Sequence, residues 1–289
     1  MAPLTVRPLA LAAAAVIVSV ALNAQAPGQD PWPGKKKVLA IGDARSSFQH
    51  DSVSHALAVV DRMGRESSEW MTVIKTETQL VTKGPVRFGD QVSLNAKNLD
   101  FFDAIFFFGA GPGDLTPQQR ADLLAFVRDD GKGYVAAHSG ANAFLNWPEY
   151  GEMIGGTFDH PWSKADRLVM TIPVIVEAPD FPAMHGLPAA FTVQDEPVVH
   201  KAPYSRDNVR VLASMDMARA DRSNARQAGE DDVALAWAKA YGKGRVFYSS
   251  LGHADDAWDD PRMQSMFRNA IRWALKLTDG DITPRGARK

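Results

Sequence analysis

The sequence predicts a doubly wound α/β sheet with antiparallel strands added along one edge. Three observations lead there. Short apolar runs alternate with helix-period stretches from Lys37 to about Asn142. Those runs are apolar on both faces, as a parallel sheet covered from both sides requires. The middle of the chain then switches to strands joined by loops.

Lys37 to Gly42 (KVLAIG) reads as the first strand. From Asp51 to Met63, Val53, Ala56, Leu57, Val60 and Met63 recur at helical spacing, with Asp51 at the N-cap. Trp70 to Thr76 and Asp103 to Gly109 (DAIFFFG) are the next strands. Thr116-Pro117-Gln118-Gln119 then carries a cap, a first-turn proline and a capping-box glutamine for a helix that ends before Gly131. Gly133 to His138 (GYVAAH) is the fourth strand, running into a short helix from about Ser139. Arg167 to Glu177, Ala190 to Val193 and Val209 to Met215 read as the added antiparallel strands, with Pro173 marking an edge or a bulge. A hairpin, Val233 to Tyr241 and Arg245 to Leu251 about Gly242-Lys243-Gly244, is followed by a helix from Asp260 that buries Met263, Phe267, Ala270, Ile271, Ala274 and Leu275.

Residues ahead of this body have another character. Arg7, the uncharged apolar run Leu9 to Leu22 and the small residues near Ala24 and Ala26 follow the order of a secretory signal, assigned to 1–26. The run is shorter than the roughly 20 residues of a bilayer span, so the expectation is an exported, periplasmic or extracellular protein with no stable membrane insertion after cleavage. A Pro/Gly linker is assigned to 27–36, the folded domain to 37–278 and a polar tail to 279–289. Thirty-two Lys and Arg against 34 Asp and Glu give a net charge of −2, interleaved along the chain, which argues against a nucleic-acid partner. The 289 residues include no cysteine, so disulfides, thiolate metal sites and Cys nucleophiles are excluded.

In an open α/β sheet, ligands bind beyond the carboxyl ends of the parallel strands. His50, His138 and His253 fall at three such ends, and His160 lies in a loop shortly after His138. Neutral imidazole is a common metal ligand and also an acid/base near neutral pH. The four are therefore candidate ligands of a divalent metal, zinc foremost, and His138 and His253 are candidate catalytic residues. Asp195 and Glu196, at the end of an apolar strand, are candidates to orient a histidine or donate a proton. Phe48, Trp147, Trp162 and Trp258 are candidate faces for sugar rings, although large aromatics also fill cores. His55, His185 and His200 read as structural, and Asp255, Asp256 and Asp259 as a solvated loop. Gly109 to Gly113 reads as a turn: it lacks the P-loop Lys-Ser/Thr and the dinucleotide fingerprint, so no nucleotide cofactor is expected.

GYVAAHSGANAF, WPEYGEMIGGTFDHPW, FTVQDE, ALAWAKAYGKGRVFYSSLGH and the W-x-D-P and NAIRWAL segments, in that order, resemble the ThuA-like family, named for trehalose utilisation. The resemblance spans about Lys37 to Leu277. It implies a flavodoxin-like fold similar to the class I glutamine amidotransferases. Those enzymes place a Cys nucleophile, followed by x-Gly, at the turn where this chain has His138-Ser139-Gly140, and their catalytic His matches His253 by position. Without the Cys, glutamine hydrolysis is not implied. Ser139 as a substitute nucleophile is offset by one residue. The resemblance implies a small-molecule carbohydrate partner, a disaccharide, a glycoside or a 3-keto derivative, handled by a hydrolase, lyase or isomerase. A non-catalytic sugar-binding module with the same cleft is the alternative.

Overall fold

The computed structural model describes residues 30–286 apart from 44–47, 112, 164–167 and 224–229. The expected signal at 1–26 and the start of the linker lie outside the described residues. The compact body begins at Gly34.

The body runs β1 (Lys36–Asp43), α1 (Ser52–Ser67), β2 (Trp70–Lys75), a small hairpin of β3 (Arg87–Phe88) and β4 (Gln91–Val92), β5 (Ala104–Gly109), α2 (Pro117–Arg128) and β6 (Gly133–Ala137). A short 3-10 turn, His138–Asn142, leads to α3 (Pro148–Ile154), β7 (Thr157–Pro161), β8 (Met170–Val176), β9 (Ala190–Asp195), β10 (Val198–Lys201) and β11 (Arg210–Met215). β12 (Ala234–Tyr241), β13 (Gly244–Ser249), α4 (Asp255–Asp259) and α5 (Pro261–Ala274) complete it. Nine strands form one sheet in the order β2-β1-β5-β6-β13-β12-β11-β8-β9. The first five are parallel, and β12, β11, β8 and β9 continue the sheet antiparallel. β7 and β10 pair separately, with a bulge between Val199 and His200.

Alternation along the central strands sorts side chains between two cores. Phe106 and Phe108 of β5 join α1 and α5 on one face, with Trp258, Phe267 and Ile271; Phe107 joins α2 and α3 on the other, with Tyr134, Phe126 and Tyr150. The capping box on α2 is present: Gln119 N donates to Thr116 Oγ1 at 3.2 Å and Thr116 N to Gln119 Oε1 at 3.0 Å. Asp260 caps α5 by accepting from Arg262 N at 2.8 Å.

Several local readings change. Asp51 occupies the N-cap of α1 but makes no side-chain cap bond. Pro173 lies on a strand flanked on both sides, just past the residues of β8 paired with β11, so its missing N–H interrupts no ladder there. Asp255 to Asp259 form a helical turn anchored by buried Trp258. The sequence pattern also gave no sign of α3 or of the β7–β10 pair. Among the described residues no helix is long and apolar enough to cross a membrane.

Candidate functional site

β1, β6 and β13 end on the same side of the sheet, and the residues that follow them meet. His138 begins the turn after β6 with φ of +41°, a left-handed backbone that costs a non-glycine residue about 1–3 kcal/mol and persists where surroundings enforce it. Enforcement is visible: the buried Tyr248 hydroxyl, on neighbouring β13, donates to the His138 carbonyl at 2.8 Å. His138 Nδ1 lies 2.7 Å from the Ser250 carbonyl, which only accepts, so Nδ1 carries the proton and Nε2 presents a lone pair. His50 Nε2 is 3.1 Å from that atom and His253 Nδ1 is 3.2 Å from it. Ser52 ties the two outer loops together, its hydroxyl lying 3.1 Å from the Gly252 carbonyl and 2.8 Å from that of His253. The ring of Phe108, next to last in β5 between β1 and β6, packs against His50 and His138 with centroids 5.5 and 6.2 Å away.

Burial, reinforced by the neighbouring imidazoles, pushes His50 down to about 4 and His138 to about 3, so both are neutral near pH 7. Glu196 is the acid at this centre. Its Oε2 lies 2.9 Å from His253 Nδ1 and 3.7 Å from His138 Nε2, and its Oε1 accepts from Ser163 Oγ at 2.5 Å. Burial raises its pKa, but bonds from His253 and Ser163 outweigh that and hold it below the ordinary value, as a carboxylate. Asp195 works on the backbone: it accepts from Gly252 N at 2.6 Å, Glu196 N at 2.9 Å and Ala254 N at 3.1 Å, fixing the loop that carries His253. Full burial pushes it up to about 6 against the pull of those three donors.

His160 does not join the group. Its Nδ1 bonds Asp159 Oδ2 at 2.8 Å, and the metal-competent cluster among the described residues is His50, His138 and His253. Three of the four aromatics expected to face a sugar are core. Trp162 and Trp258 are fully buried, donating to the carbonyls of Asp221 and Gly252, and Trp147 stacks on Tyr150 in the opposite core. Phe48 is half exposed and does face the cavity. That cavity, of about 260 Å³, is lined by Phe48, His50, His138, Ser139, Asn142, Phe158, Pro161, Leu168, Glu196 and Val198.

A family model described as ThuA, trehalose utilisation, matches residues 37–274. The chain belongs to the ThuA family. A ThuA-like protein from Bacteroides uniformis superimposes with a TM-score of 0.67 at 19% identity, over 86% of this chain and 95% of that one. A second, from Parabacteroides merdae, gives 0.60 at 18% identity, over 83% and 90%. At these identities the likeness is one of fold: the mostly parallel sheet with its antiparallel extension is a ThuA-like fold. No curated protein matches in sequence.

Sequence reasoning missed Ser163 and Tyr248, and it read His200 as structural without finding its partner. His200 Nε2 lies 3.0 Å from the Tyr248 hydroxyl. That hydroxyl spends its proton on the His138 carbonyl, so Nε2 of His200 is the donor and a chain runs from β10 through β13 to the histidine turn. The sequence signal was present only as histidine and tyrosine inside apolar strands.

Proposed function

We propose that this ThuA-family chain is an exported enzyme of carbohydrate utilisation, acting on disaccharides, glycosides or their 3-keto derivatives at the His50, His138 and His253 centre. One observation carries the reading: two imidazole nitrogens stand 3.1 and 3.2 Å from the lone pair of His138 Nε2. These two spacings approach the roughly 3.3 Å between tetrahedral ligands at zinc–nitrogen distances. The donor set therefore fits a divalent ion, zinc foremost, held by His50, His138 and His253. Such an ion supplies Lewis-acid polarisation of a sugar carbonyl or hydroxyl. His138 contributes a fixed tautomer, set by the Ser250 carbonyl. Glu196, kept ionised and oriented by Ser163, is the base that takes a proton from the substrate and returns it to the leaving oxygen. Tyr248 and Asp195 hold the two histidine loops in place. The family's description in terms of trehalose utilisation supports the substrate class.

The test is metal analysis of purified protein combined with product detection from trehalose and 3-keto-glycosides. About one equivalent of metal, lost in His138→Ala together with turnover, is expected. Metal-free protein with full activity overturns the metal role, and sugar binding without turnover in either state shows a binding module.

A further inference from the structure

The cavity beside the histidines has a lining of two kinds: polar groups from His50, His138, Ser139 and Glu196, and an apolar wall that includes Phe48, Phe158 and Leu168. Phe48 is 48% exposed and Leu168 36%, two of the large apolar side chains that the folded chain leaves in water. Exposed apolar surface concentrated beside a polar centre marks a place where a ligand is covered. The Phe48 ring sits edge-on to His50 with centroids 4.7 Å apart, so the apolar surface reaches the histidines. Ser139 adds a second sign of a ligand. It lines the cavity, it is 4% exposed, and its Oγ has no hydrogen-bond partner among the described residues. A buried hydroxyl left without a partner is costly, and a sugar hydroxyl resting against the turn would satisfy it.

A disaccharide fits this arrangement poorly. Its second ring can lay a C–H face on one phenylalanine, but the hydroxyls around its edge find no replacement for lost water among leucine, proline and valine side chains. An aromatic ring in that position loses nothing of the kind, and it gains edge or face contacts with Phe48 and Phe158. Resting on the sugar-acting reading above, we propose that the preferred substrate is a glycoside with an aromatic aglycone. The sugar lies against the histidines, Ser139 and Asn142, and the aglycone lies on the wall formed by Phe48, Phe158 and Leu168.

Calorimetric titration of the full chain with phenyl β-glucoside, methyl β-glucoside, trehalose and free phenol decides the matter. Phenyl glucoside is expected to bind at least tenfold tighter than methyl glucoside and trehalose. That gain should shrink at least fivefold in Phe158→Ala and in Leu168→Asn, the latter at an exposed position where folding is not at stake. Equal affinities for the phenyl and methyl glucosides, tighter binding of trehalose, or a gain untouched by both substitutions overturns the proposal. Binding of phenol but of no glycoside leaves the apolar wall standing and overturns the glycoside proposal, as does absence of binding by all four; the sugar-acting reading itself falls only if the 3-keto-glycosides of the turnover test also give no product.

Discussion

Replacing Tyr248 with Phe removes a single buried oxygen that serves two partners. The His138 carbonyl loses a donor at 2.8 Å, worth about 0.5–1.5 kcal/mol. The His200 Nε2 proton loses its acceptor at 3.0 Å, and burying that donor unpaired costs about 1–3 kcal/mol. Burial holds the Tyr248 hydroxyl far above its ordinary pKa, so it is a neutral donor at every working pH and the losses do not depend on pH. Together they give an expected destabilisation of about 1.5–4.5 kcal/mol, read as a lower urea midpoint at unchanged slope. The second effect is geometric. With the clamp gone, the left-handed turn at His138 can relax and carry Nε2 away from His50 and His253. Zinc affinity, measured by competition with a chromophoric chelator, should fall by about 10–100-fold, the usual consequence of removing a group that orients a ligand. In a double-mutant cycle, Tyr248→Phe and His200→Leu should be strongly non-additive, because both delete the same bond. A loss below about 0.5 kcal/mol, within the range of ordinary surface substitutions, together with unchanged zinc affinity would refute the clamp.

Stability of the metal-free protein should fall on acidification. Burial pushes His200 down to about 3 from 6.5, so its contribution is complete above about pH 6.5 and is lost as pH falls towards 3. His50 and His138 act in the same direction. His200→Leu should therefore flatten the pH dependence of urea midpoints in that window, by up to about 1.4 kcal/mol per pH unit. Asp195 has the opposite sign: pushed up from 3.8 to about 6, its contribution is present below pH 4 and is lost as pH rises through 6. Asp195→Asn should consequently steepen the rise in stability between pH 4 and 6, and an unchanged slope counts against the assignment. Gly252 has φ of +121°, and a Cβ there would stand 3.0 Å from Trp258 Cζ2. Gly252→Ala should cost about 1–3 kcal/mol by thermal unfolding and disturb metal binding through the adjacent His253, whereas unaltered metal affinity would show that His253 is positioned independently.

Most of the fold was legible because its signals are local. The apolar run ending in Gly109, the Thr116 capping box and the stripe on α5 each declare an element within a dozen residues. The strand ends likewise pointed to His50, His138 and His253, since in a parallel sheet the position along the chain fixes the side of the sheet. His160 and the tryptophans were misplaced for the converse reason. Whether a loop residue turns toward the cleft depends on packing between distant segments, and β7 fixes its register against β10, about 40 residues away. For Trp162 and Trp258, large apolar rings that also carry one N–H, burial with that N–H bonded to a carbonyl prevailed. The bond between Tyr248 and His200 was hidden because neither is near the other in sequence, and nothing short of the three-dimensional register brings them together.

The order of the sheet has a bearing on biosynthesis. β13, whose far end leads into Ser250 and His253, is the last strand of the chain, yet it lies between β6 and β12 in the middle of the sheet. The strands that precede Lys243 fall into two groups that only β13 joins, and a chain ending there has neither the Ser250 carbonyl nor the Tyr248 hydroxyl to set His138. The centre is thus completed by the closing strand, so nascent or truncated chains offer separate histidines and not an assembled trap for stray ions.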